Sequence, residues 1–386
     1  MAIVASAAAA LFVSGRLKNM ASGDLSKFVY AGSRYVHGKV PGLFVLRYSS
    51  GYDGQFYYRL ARGPLDWATS AFGITMDNYE RFDRVGYPAL AWLASLGGRV
   101  SLVPLALVVV NVLAVGALAW AGSAIAVCSG RRAAWGLLIP GYWGFLWTLS
   151  FDLTELVAAA CTVGALFMVR EGRHLAAGAC LSFAVLTREP EMVIVGAIAI
   201  SWAVQAARVR RWPAAVTWPR GPSESGGYVR AVTWVVPTAA FVAWQAALLA
   251  GTGHFALMSQ QTSNLGLPFV GFVGGVSYHL HQSGGLVGSG TVWQLVLLVV
   301  VAGLAGRALW SSSALLHEKL SWVGAVVLAS LLTGHIWDGS VGFRSMAPLY
   351  VTSMIVLLFS TRRLWGLAVA GAALWAMAAY YLVQFS

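Results

Sequence analysis

The chain has 386 residues, of which 58% are hydrophobic and 10% are charged, and its formal net charge at pH 7 is +12. Soluble domains carry about 25% charged residues, so this composition excludes an ordinary soluble domain and predicts an all-α polytopic membrane protein. The basic residues recur in short clusters between apolar segments and form no single patch, which is typical of membrane topology signals and argues against nucleic-acid binding.

The N-terminal part predicts one helix and a long polar loop. Residues 1–13 are apolar and predict a first helix that continues towards Arg16. Residues 14–99 hold six of the 14 acidic residues and are too long and aromatic for a simple linker. We predict that they form the first external loop, which carries interfacial helices and the candidate catalytic groups. One such helix, over 86–93, is expected to place its Tyr and Trp side chains at headgroup level.

Apolar segments and polar connections then alternate to the C-terminus, in what we predict is a single transmembrane domain over 1–386. With the first helix, about eleven spans are predicted. The further ten lie over 101–128, 134–150, 156–169, 174–187, 192–207, 231–251, 291–309, 321–335, 346–360 and 364–384. Residues 208–230 are basic and rich in Pro, Gly and Ser, which predicts a cytoplasmic loop. Residues 252–290 are rich in Gly, and we predict an external re-entrant or interfacial loop.

The charge distribution predicts the orientation in the membrane. Only three of the 14 acidic residues, Glu171, Glu224 and Glu318, fall in the predicted inner loops, where Arg and Lys are frequent. This excess of positive charge predicts a cytoplasmic N-terminus. The other acids, together with arginines at several span ends, then lie on the outer face.

The most distinctive polar stretch is residues 51–61, GYDGQFYYRLA. In it Asp53 stands between glycines, which let the backbone turn sharply and leave room for a substrate beside the carboxylate. A carboxylate in such a partly dry place has a raised pKa and suits general-base catalysis. The alternative is that Asp53 only caps the helix that follows it.

The neighbours of this carboxylate are candidate substrate-binding residues. If a helix starts directly after the second glycine, Gln55 and Arg59 lie four residues apart on one face. The rings of Tyr52 and Tyr57 could stack on a sugar or anchor at the membrane interface.

Other acids of the first loop have a functional and a structural interpretation. Asp24 follows the first span, and it could be a second catalytic carboxylate or the N-cap of an interfacial helix. Asp83 and Arg84 are adjacent, and we predict that they form a local ion pair.

Two arginines near span ends suit the binding of a lipid phosphate. Arg188 closes a short span and precedes Glu189, and Arg344 precedes a late span. A planar guanidinium pairs with two phosphate oxygens at once. The alternative is a structural salt bridge with a carboxylate such as Glu155 or Glu189.

The histidines give one further candidate. His335 lies close to Asp338 and could belong to the site. His279 and His281 are two residues apart, so on a helix they would point to different faces, and no carboxylate is near them. This spacing argues against a zinc site, and we predict no metal ligands.

The whole pattern resembles the GT-C superfamily of integral-membrane glycosyltransferases. The shared features are a short first span, a long first external loop with an Asp, an Arg-Glu-Pro turn at 188–190 and a late Arg followed by a Pro at 344–348. The motifs GYDGQFYYRLA and RFDRVGYPALAWL are similar to loops of uncharacterised bacterial, often actinobacterial, members. In architecture the resemblance covers most of the chain, whereas the specific motifs lie in the first loop.

The resemblance implies a multi-pass enzyme that works on the outer face of the plasma membrane. It implies a polyprenyl-phosphate-linked sugar as donor and a glycan or glycolipid of the cell envelope as acceptor. Such enzymes invert the anomeric centre, and an acid of the first external loop deprotonates the acceptor hydroxyl. This role falls to Asp53, with Asp24 as second candidate. Arg188 and Arg344 would hold the lipid phosphate as it leaves and gains charge.

Some features depart from this family pattern. The first loop has no Asp-x-Asp pair, so the resemblance implies no firm cofactor and leaves a requirement for a divalent metal open. The alternative function is a transporter or flippase for lipid-linked sugars. Transporters commonly show internal repeats and helices broken in mid-membrane. The two halves of this sequence show no such repeat, and the charges cluster at span ends, so we favour a transferase.

Overall fold

The computed structural model describes residues 1–211, 226–259, 264–282, 286–337 and 340–384. Within these residues the chain is mostly α-helical, with fifteen α-helices, six short 3-10 helices and two small β-pairs. The predicted all-α class is therefore confirmed for the described part of the chain. Most of the predicted cytoplasmic loop over 208–230 lies outside it.

The helices vary widely in length. They are α1 (Ala2–Asn19), α2 (Gly54–Arg62), α3 (Gly86–Ala94), α4 (Val103–Cys128), α5 (Gly144–Ser150), α6 (Glu155–Arg170), α7 (His174–Thr187), α8 (Met192–Arg211), α9 (Gly226–Thr252), α10 (Val270–Gln282), α11 (Leu286–Ala308), α12 (Leu316–Leu331), α13 (Gly334–Trp337), α14 (Ala347–Leu358) and α15 (Trp365–Gln384). The 3-10 helices are Leu25–Val29, Tyr79–Asp83, Ala133–Leu138, Glu189–Glu191, Ala256–Met258 and Ser340–Met346. Strands β1 (Ala31–Gly32) and β2 (Val45–Leu46) pair in parallel, and β3 (Ser70–Ala71) and β4 (Ile74–Thr75) pair antiparallel.

Five helices of the described part are long and apolar enough to cross a membrane. They cover Val103–Cys128, Glu189–Arg208, Arg230–Thr252, Gly290–Ala308 and Trp365–Gln384. Two shorter apolar helices cover His174–Thr187 and Gly342–Leu358. A span needs about 20 apolar residues, so the five long helices indicate a membrane protein.

The apolar stretch over 134–150 does not form the single helix that was predicted. It folds as the 3-10 helix Ala133–Leu138 followed by α5, which has seven residues. Pro140 lies between them, and a proline has no N–H and disfavours a helical conformation in the residue before it. The 3-10 helix also packs closely on α4, since a Cβ at Gly136 would lie 2.2 Å from the backbone nitrogen of Ser123.

The helices pack as one connected set. Helix α4 contacts α1, α3 and α6. Helix α7 packs against α6 and α9, α8 against α9 and α12, and α14 against α11 and α12. Helix α4 is apolar on all sides and largely buried, as expected of a helix inside a bundle.

The first loop folds onto these helices. Helix α3 packs against α4 and α7, and its Tyr87 is fully buried. The Tyr87 hydroxyl donates to the carbonyl of Leu107 at 3.0 Å and accepts from Nδ2 of Asn111 at 3.0 Å. The Tyr87 ring is therefore packed inside the protein, where its hydroxyl finds partners in α4, and its position at headgroup level stays a prediction.

The glycines around Asp53 allow close packing of backbone against backbone. Gly51 has φ +64°, the left-handed conformation that glycine adopts without strain. A Cβ at Gly54 would lie 2.4 Å from the carbonyl oxygen of Phe151 and 2.7 Å from that of Val29. The sharp turn was expected, but the space beside Gly54 is filled by the protein's own backbone and not left for a substrate.

We expect Gly54→Ala to lower the free energy of unfolding by about 1–3 kcal/mol, because overpacking forces backbone shifts. The control is Gly164→Ala in α6, where nothing lies within 4 Å of an added Cβ. The control should be neutral or stabilising by up to about 1 kcal/mol, since alanine favours a helix more than glycine does. Thermal unfolding in detergent measures both changes. Equal melting temperatures for the two variants would contradict the tight contact at Gly54.

Candidate functional site

Several of the predicted site residues meet at one place, where helix ends from distant parts of the chain converge. Nη2 of Arg344 lies 2.8 Å from Oδ2 of Asp53, and Nη1 of the same guanidinium contacts Oε1 of Glu155. Nη1 of Arg188 lies 3.8 Å from that Glu155 oxygen. With Arg81, described next, these residues form what we call the charged cluster.

Asp53 is held by two arginines and does not cap a helix. It directly precedes α2, but its side chain makes no capping hydrogen bond. Its Oδ1 lies 3.0 Å from Nη1 of Arg81 instead. Arg81 is fixed in turn by two hydrogen bonds to Asp77, of 3.0 and 2.9 Å, and lies over the ring of Phe56. The capping alternative for the Asp53 side chain is therefore wrong.

The electrostatic setting of Asp53 differs from the prediction. Burial raises the pKa of this carboxyl, but the positive charges of Arg81, Arg344 and Arg84 outweigh burial and lower the pKa to about 2. The predicted rise in pKa is wrong, because partners on distant elements determine the balance. In the described arrangement Asp53 is an ionised and paired carboxylate, and so a weak base.

Arg188 is the least satisfied member of the charged cluster. Its residue surface is 5% exposed and that of Glu155 is 1% exposed. The Nε and Nη1 groups of Arg188 have no hydrogen-bond partner in the described part of the chain, since 3.8 Å to Glu155 is too long for a hydrogen bond. Buried donors without partners are costly. This guanidinium is therefore suited to receive oxygen atoms of a ligand or of water.

Tyr52 and Thr148 support the charged cluster from two sides. The Tyr52 hydroxyl accepts from Nε of Arg344 at 3.3 Å, and the Arg344 guanidinium lies over the Tyr52 ring. Thr148 in α5 donates to Oε2 of Glu155 at 3.2 Å. The predicted site residue Tyr52 is thus in contact with the charged cluster.

A second ion-pair group fastens the first loop to the turn between α7 and α8. Arg84 makes two hydrogen bonds to Glu189, of 3.0 and 2.6 Å, and one of 2.8 Å to Glu80. Nη1 of Arg84 also lies 3.4 Å from the hydroxyl of Tyr57. Two predicted site residues, Glu189 and Tyr57, are therefore partners of this arginine.

Asp83 does not pair with Arg84, contrary to the prediction. The 3-10 helix that carries Asp83 packs against α9, and Nε2 of Gln245 in α9 donates to Oδ1 of Asp83 at 2.7 Å. The side chain is fully buried, and its Oδ2 has no partner in the described part of the chain.

Gln55 and Arg59 hold the first loop together and lie apart from the charged cluster. Oε1 of Gln55 accepts from the backbone of Gly32 at 3.0 Å, and its Nε2 donates to the carbonyl of Ser50 at 2.8 Å. Arg59 is buried, donates to backbone carbonyls of residues 66 and 68, and lies over the ring of Phe82. Their substrate-binding roles have no geometric support.

Two other predicted site residues are not part of the charged cluster as the structure describes it. Asp24 is exposed and accepts from the backbone nitrogen of Ser26 at 2.9 Å, so the structure shows its capping alternative. The side chain of His335 lies outside the described part of the chain.

Sequence reasoning did not single out Arg81. Its i,i+4 spacing from Asp77 was a usable signal, because such a carboxylate can hold a guanidinium in place. The unusual environment of Asp152 became apparent only in the structure. It is fully buried, has φ +50°, and neither carboxylate oxygen has a hydrogen-bond partner among the described residues.

The comparisons with known proteins give no family for this chain. It matches no protein-family model, no curated protein and no solved structure. Across the described residues, no group of three or more His, Cys, Asp or Glu side chains could hold a metal ion. The charged cluster is therefore the feature from which a function can be inferred.

We expect Asp83→Asn to stabilise the protein against unfolding at high pH but not at low pH. Burial, and then the charge of Glu189, raise the pKa of Asp83 to about 7, whereas an unfolded Asp titrates near about 3.9. The folded protein binds the extra proton between these values, so wild-type stability falls as pH rises from about 4 to 7. The variant avoids this loss, and it should match wild type at pH 4 and unfold at a higher temperature at pH 8.

The control is Glu171→Gln, because Glu171 is exposed and forms no ion pair in the described part of the chain. Its melting temperature should follow that of wild type across the same pH range. A difference between Asp83→Asn and wild type that stays constant from pH 4 to pH 8 would contradict the raised pKa.

We expect Glu155→Gln to destabilise the protein by about 3–5 kcal/mol, because it leaves buried arginines without their shared counter-ion. The control is Glu171→Gln at the exposed end of α6, expected to change stability by less than about 0.5 kcal/mol. Thermal unfolding in the same detergent compares the two. Similar melting temperatures for both variants would show that Glu155 is not needed as a counter-ion.

Proposed function

We propose that the protein is a GT-C-like inverting glycosyltransferase of the plasma membrane. It transfers a sugar from a polyprenyl-phosphate donor to a glycan or glycolipid acceptor of the cell envelope. The observation that carries the proposal is the buried guanidinium of Arg188, which has two donors without hydrogen-bond partners in the described part of the chain and approaches the same Glu155 oxygen as Arg344. A leaving lipid phosphate requires such cations, since negative charge develops on it as the glycosidic bond breaks.

An apolar cavity next to the charged cluster supports a lipid-linked donor. It has a volume of about 740 Å³ and lies between α1, α5, α15 and the 3-10 helix Ala133–Leu138. Helix α5 separates this cavity from the charged cluster. Its Phe145 and Leu149 line the cavity, whereas its Thr148 donates to Glu155. For the phosphate of an isoprenoid chain in this cavity to reach Arg188 and Arg344, the donor would have to pass around α5.

The proposed reaction is a single displacement. Asp53 takes the proton of an acceptor hydroxyl, the acceptor oxygen bonds to the anomeric carbon, and the bond from that carbon to the phosphate oxygen breaks. The released lipid phosphate keeps the bonding electrons and pairs with Arg188 and Arg344. Because Arg344 also binds Asp53, an incoming phosphate competes for this guanidinium. Loss of one arginine partner would raise the pKa of Asp53 and make it a better base.

The topology belongs to the same proposal. About eleven spans, with the N-terminus in the cytoplasm, would place Asp53, Glu155, Arg188 and Arg344 on the outer face. Their contacts with one another support this arrangement. A flippase for lipid-linked sugars remains the alternative, and it requires movement of the substrate without formation of a glycosidic bond.

The test uses the full-length protein, purified in detergent, with a radiolabelled short-chain polyprenyl-phosphate sugar and a crude envelope-lipid extract as acceptor. We expect formation of labelled product together with release of polyprenyl phosphate. Asp53→Asn should lower kcat by about 100-fold or more, because it removes the base. Arg188→Gln should lower kcat/KM, because it removes a phosphate ligand.

The matched control is Asp66→Asn, which removes a partly exposed carboxylate of the same loop and should keep wild-type turnover. Full turnover by Asp53→Asn would contradict the assignment of the base. Transport of the donor across vesicles without release of polyprenyl phosphate would favour the flippase.

A further inference from the structure

A second cavity lies where α1 ends and the first loop begins, apart from the charged cluster. Its volume is about 290 Å³, roughly that of ten water molecules at about 30 Å³ each. Two cationic side chains, Arg16 and Lys27, line it, together with the rings of Phe28, Tyr30 and Phe44. The residues of the described part that line this cavity include no acid.

The two cations are held against aromatic rings. Arg16 is buried, with its guanidinium 5.3 Å from the ring centroid of Phe151, and its Nη1 donates to a carbonyl of α15. The Lys27 ammonium lies 5.0 Å from the ring centroid of Phe44. Lys27 is half-buried and forms no ion pair within the described part of the chain.

These walls favour an anion over a neutral ligand. Charges surrounded by apolar walls act more strongly than charges in open water. Asp152, a carboxylate that interacts electrostatically with Arg16, does not line the cavity. No acid of the described residues lines the cavity or forms an ion pair with Lys27, so its ammonium supplies positive charge there.

The cavity is one layer of aromatic rings away from the candidate base. Tyr30 lines the cavity, and its carbonyl accepts from the backbone nitrogen of Tyr52 at 2.9 Å. Tyr52 directly precedes Asp53. The rings of Tyr30 and Tyr52 both pack on Phe151, with centroids 5.0 and 5.5 Å from it. A molecule whose headgroup occupies the cavity could therefore reach Asp53 along this layer.

We propose that this cavity binds the phosphate of an anionic acceptor lipid, with Lys27 and Arg16 as phosphate ligands. The acceptor role rests on the proposed glycosyltransferase function, whereas binding of the phosphate does not. The charged cluster already supplies arginines for the donor phosphate, so a second cationic cavity fits the other substrate. Apolar side chains of Met20 and Leu46 also line the cavity, which suits a ligand with a lipid part.

The experiment measures binding without turnover, by isothermal titration calorimetry of the full-length protein in a neutral detergent. The probes are dihexanoyl phosphatidic acid, as a lipid phosphate, and inorganic phosphate, as a free anion. We expect the lipid to bind, and Lys27→Gln to weaken its binding by about tenfold, as loss of one charge-assisted contact predicts. Lys27→Arg keeps the charge and should bind within about threefold of wild type.

The control is Lys18→Gln, which removes an exposed charge from the same end of α1 and should leave binding unchanged. Melting temperatures show whether each variant is folded. Equal binding by Lys27→Gln and Lys18→Gln, or no binding of the lipid by wild type, would overturn the proposal. Binding of inorganic phosphate as tight as that of the lipid would overturn the lipid acceptor and assign the cavity to a free anion.

The two proposals fail in different ways. Loss of lipid binding in Lys27→Gln, combined with full sugar transfer by Asp53→Asn, would support the cavity and contradict the proposed base. Sugar transfer that depends on Asp53, combined with no lipid binding to the cavity, would do the reverse.

Discussion

The guanidinium of Arg344, shared between two carboxylates, is the interaction on which the rest of the site depends. It contacts Asp53 at the start of α2 and Glu155 at the start of α6. Moving one ion out of water costs several kcal/mol, and such a group is tolerated only with good partners and further hydrogen bonds. Here Tyr52 and Thr148 supply those bonds. The first loop and the helices are thus held in one relative position by a few polar contacts.

The members of the charged cluster differ in how many of their hydrogen-bonding groups have partners, and this difference bears on where an anion would bind. Asp53 has two close arginine partners, whereas Arg188 keeps donors without acceptors within the described part of the chain. An arriving anion gains the most hydrogen bonds at Arg188. It competes with Asp53 for a guanidinium only where it reaches Arg344. Binding of one substrate and activation of a base for the other would then be coupled through a single side chain. Under the proposed function, such coupling would distinguish the site from a set of purely structural salt bridges.

Much of the helical framework could be predicted, because long apolar stretches such as Val103–Cys128 have few alternatives to a buried helix. The break at Pro140 was missed, since the stretch over 134–150 was judged by its composition. The predicted topology placed Asp53, Arg188 and Arg344 on one face of the membrane. It did not predict their ion pairs, because the sequence does not reveal that Arg81 and Glu155 complete the charged cluster. The predicted pKa shift of Asp53 was wrong for that reason. Gln55 proved to satisfy backbone groups of the first loop, the N–H of Gly32 and the carbonyl of Ser50.

The contact between Asp53 and Arg344 joins residues that are 291 positions apart. A chain emerging from the ribosome presents Asp53 long before Arg344, which lies in the 3-10 helix Ser340–Met346, and N-terminal segments begin to fold first. Until that segment is in place, the arginine partners in the described part of the chain are Arg81 for Asp53 and Arg188 for Glu155. Assembly of this protein in the bilayer is therefore completed from its C-terminal end. A chain that ends early lacks the arginine that joins Asp53 to Glu155, a defect that membrane quality control could recognise.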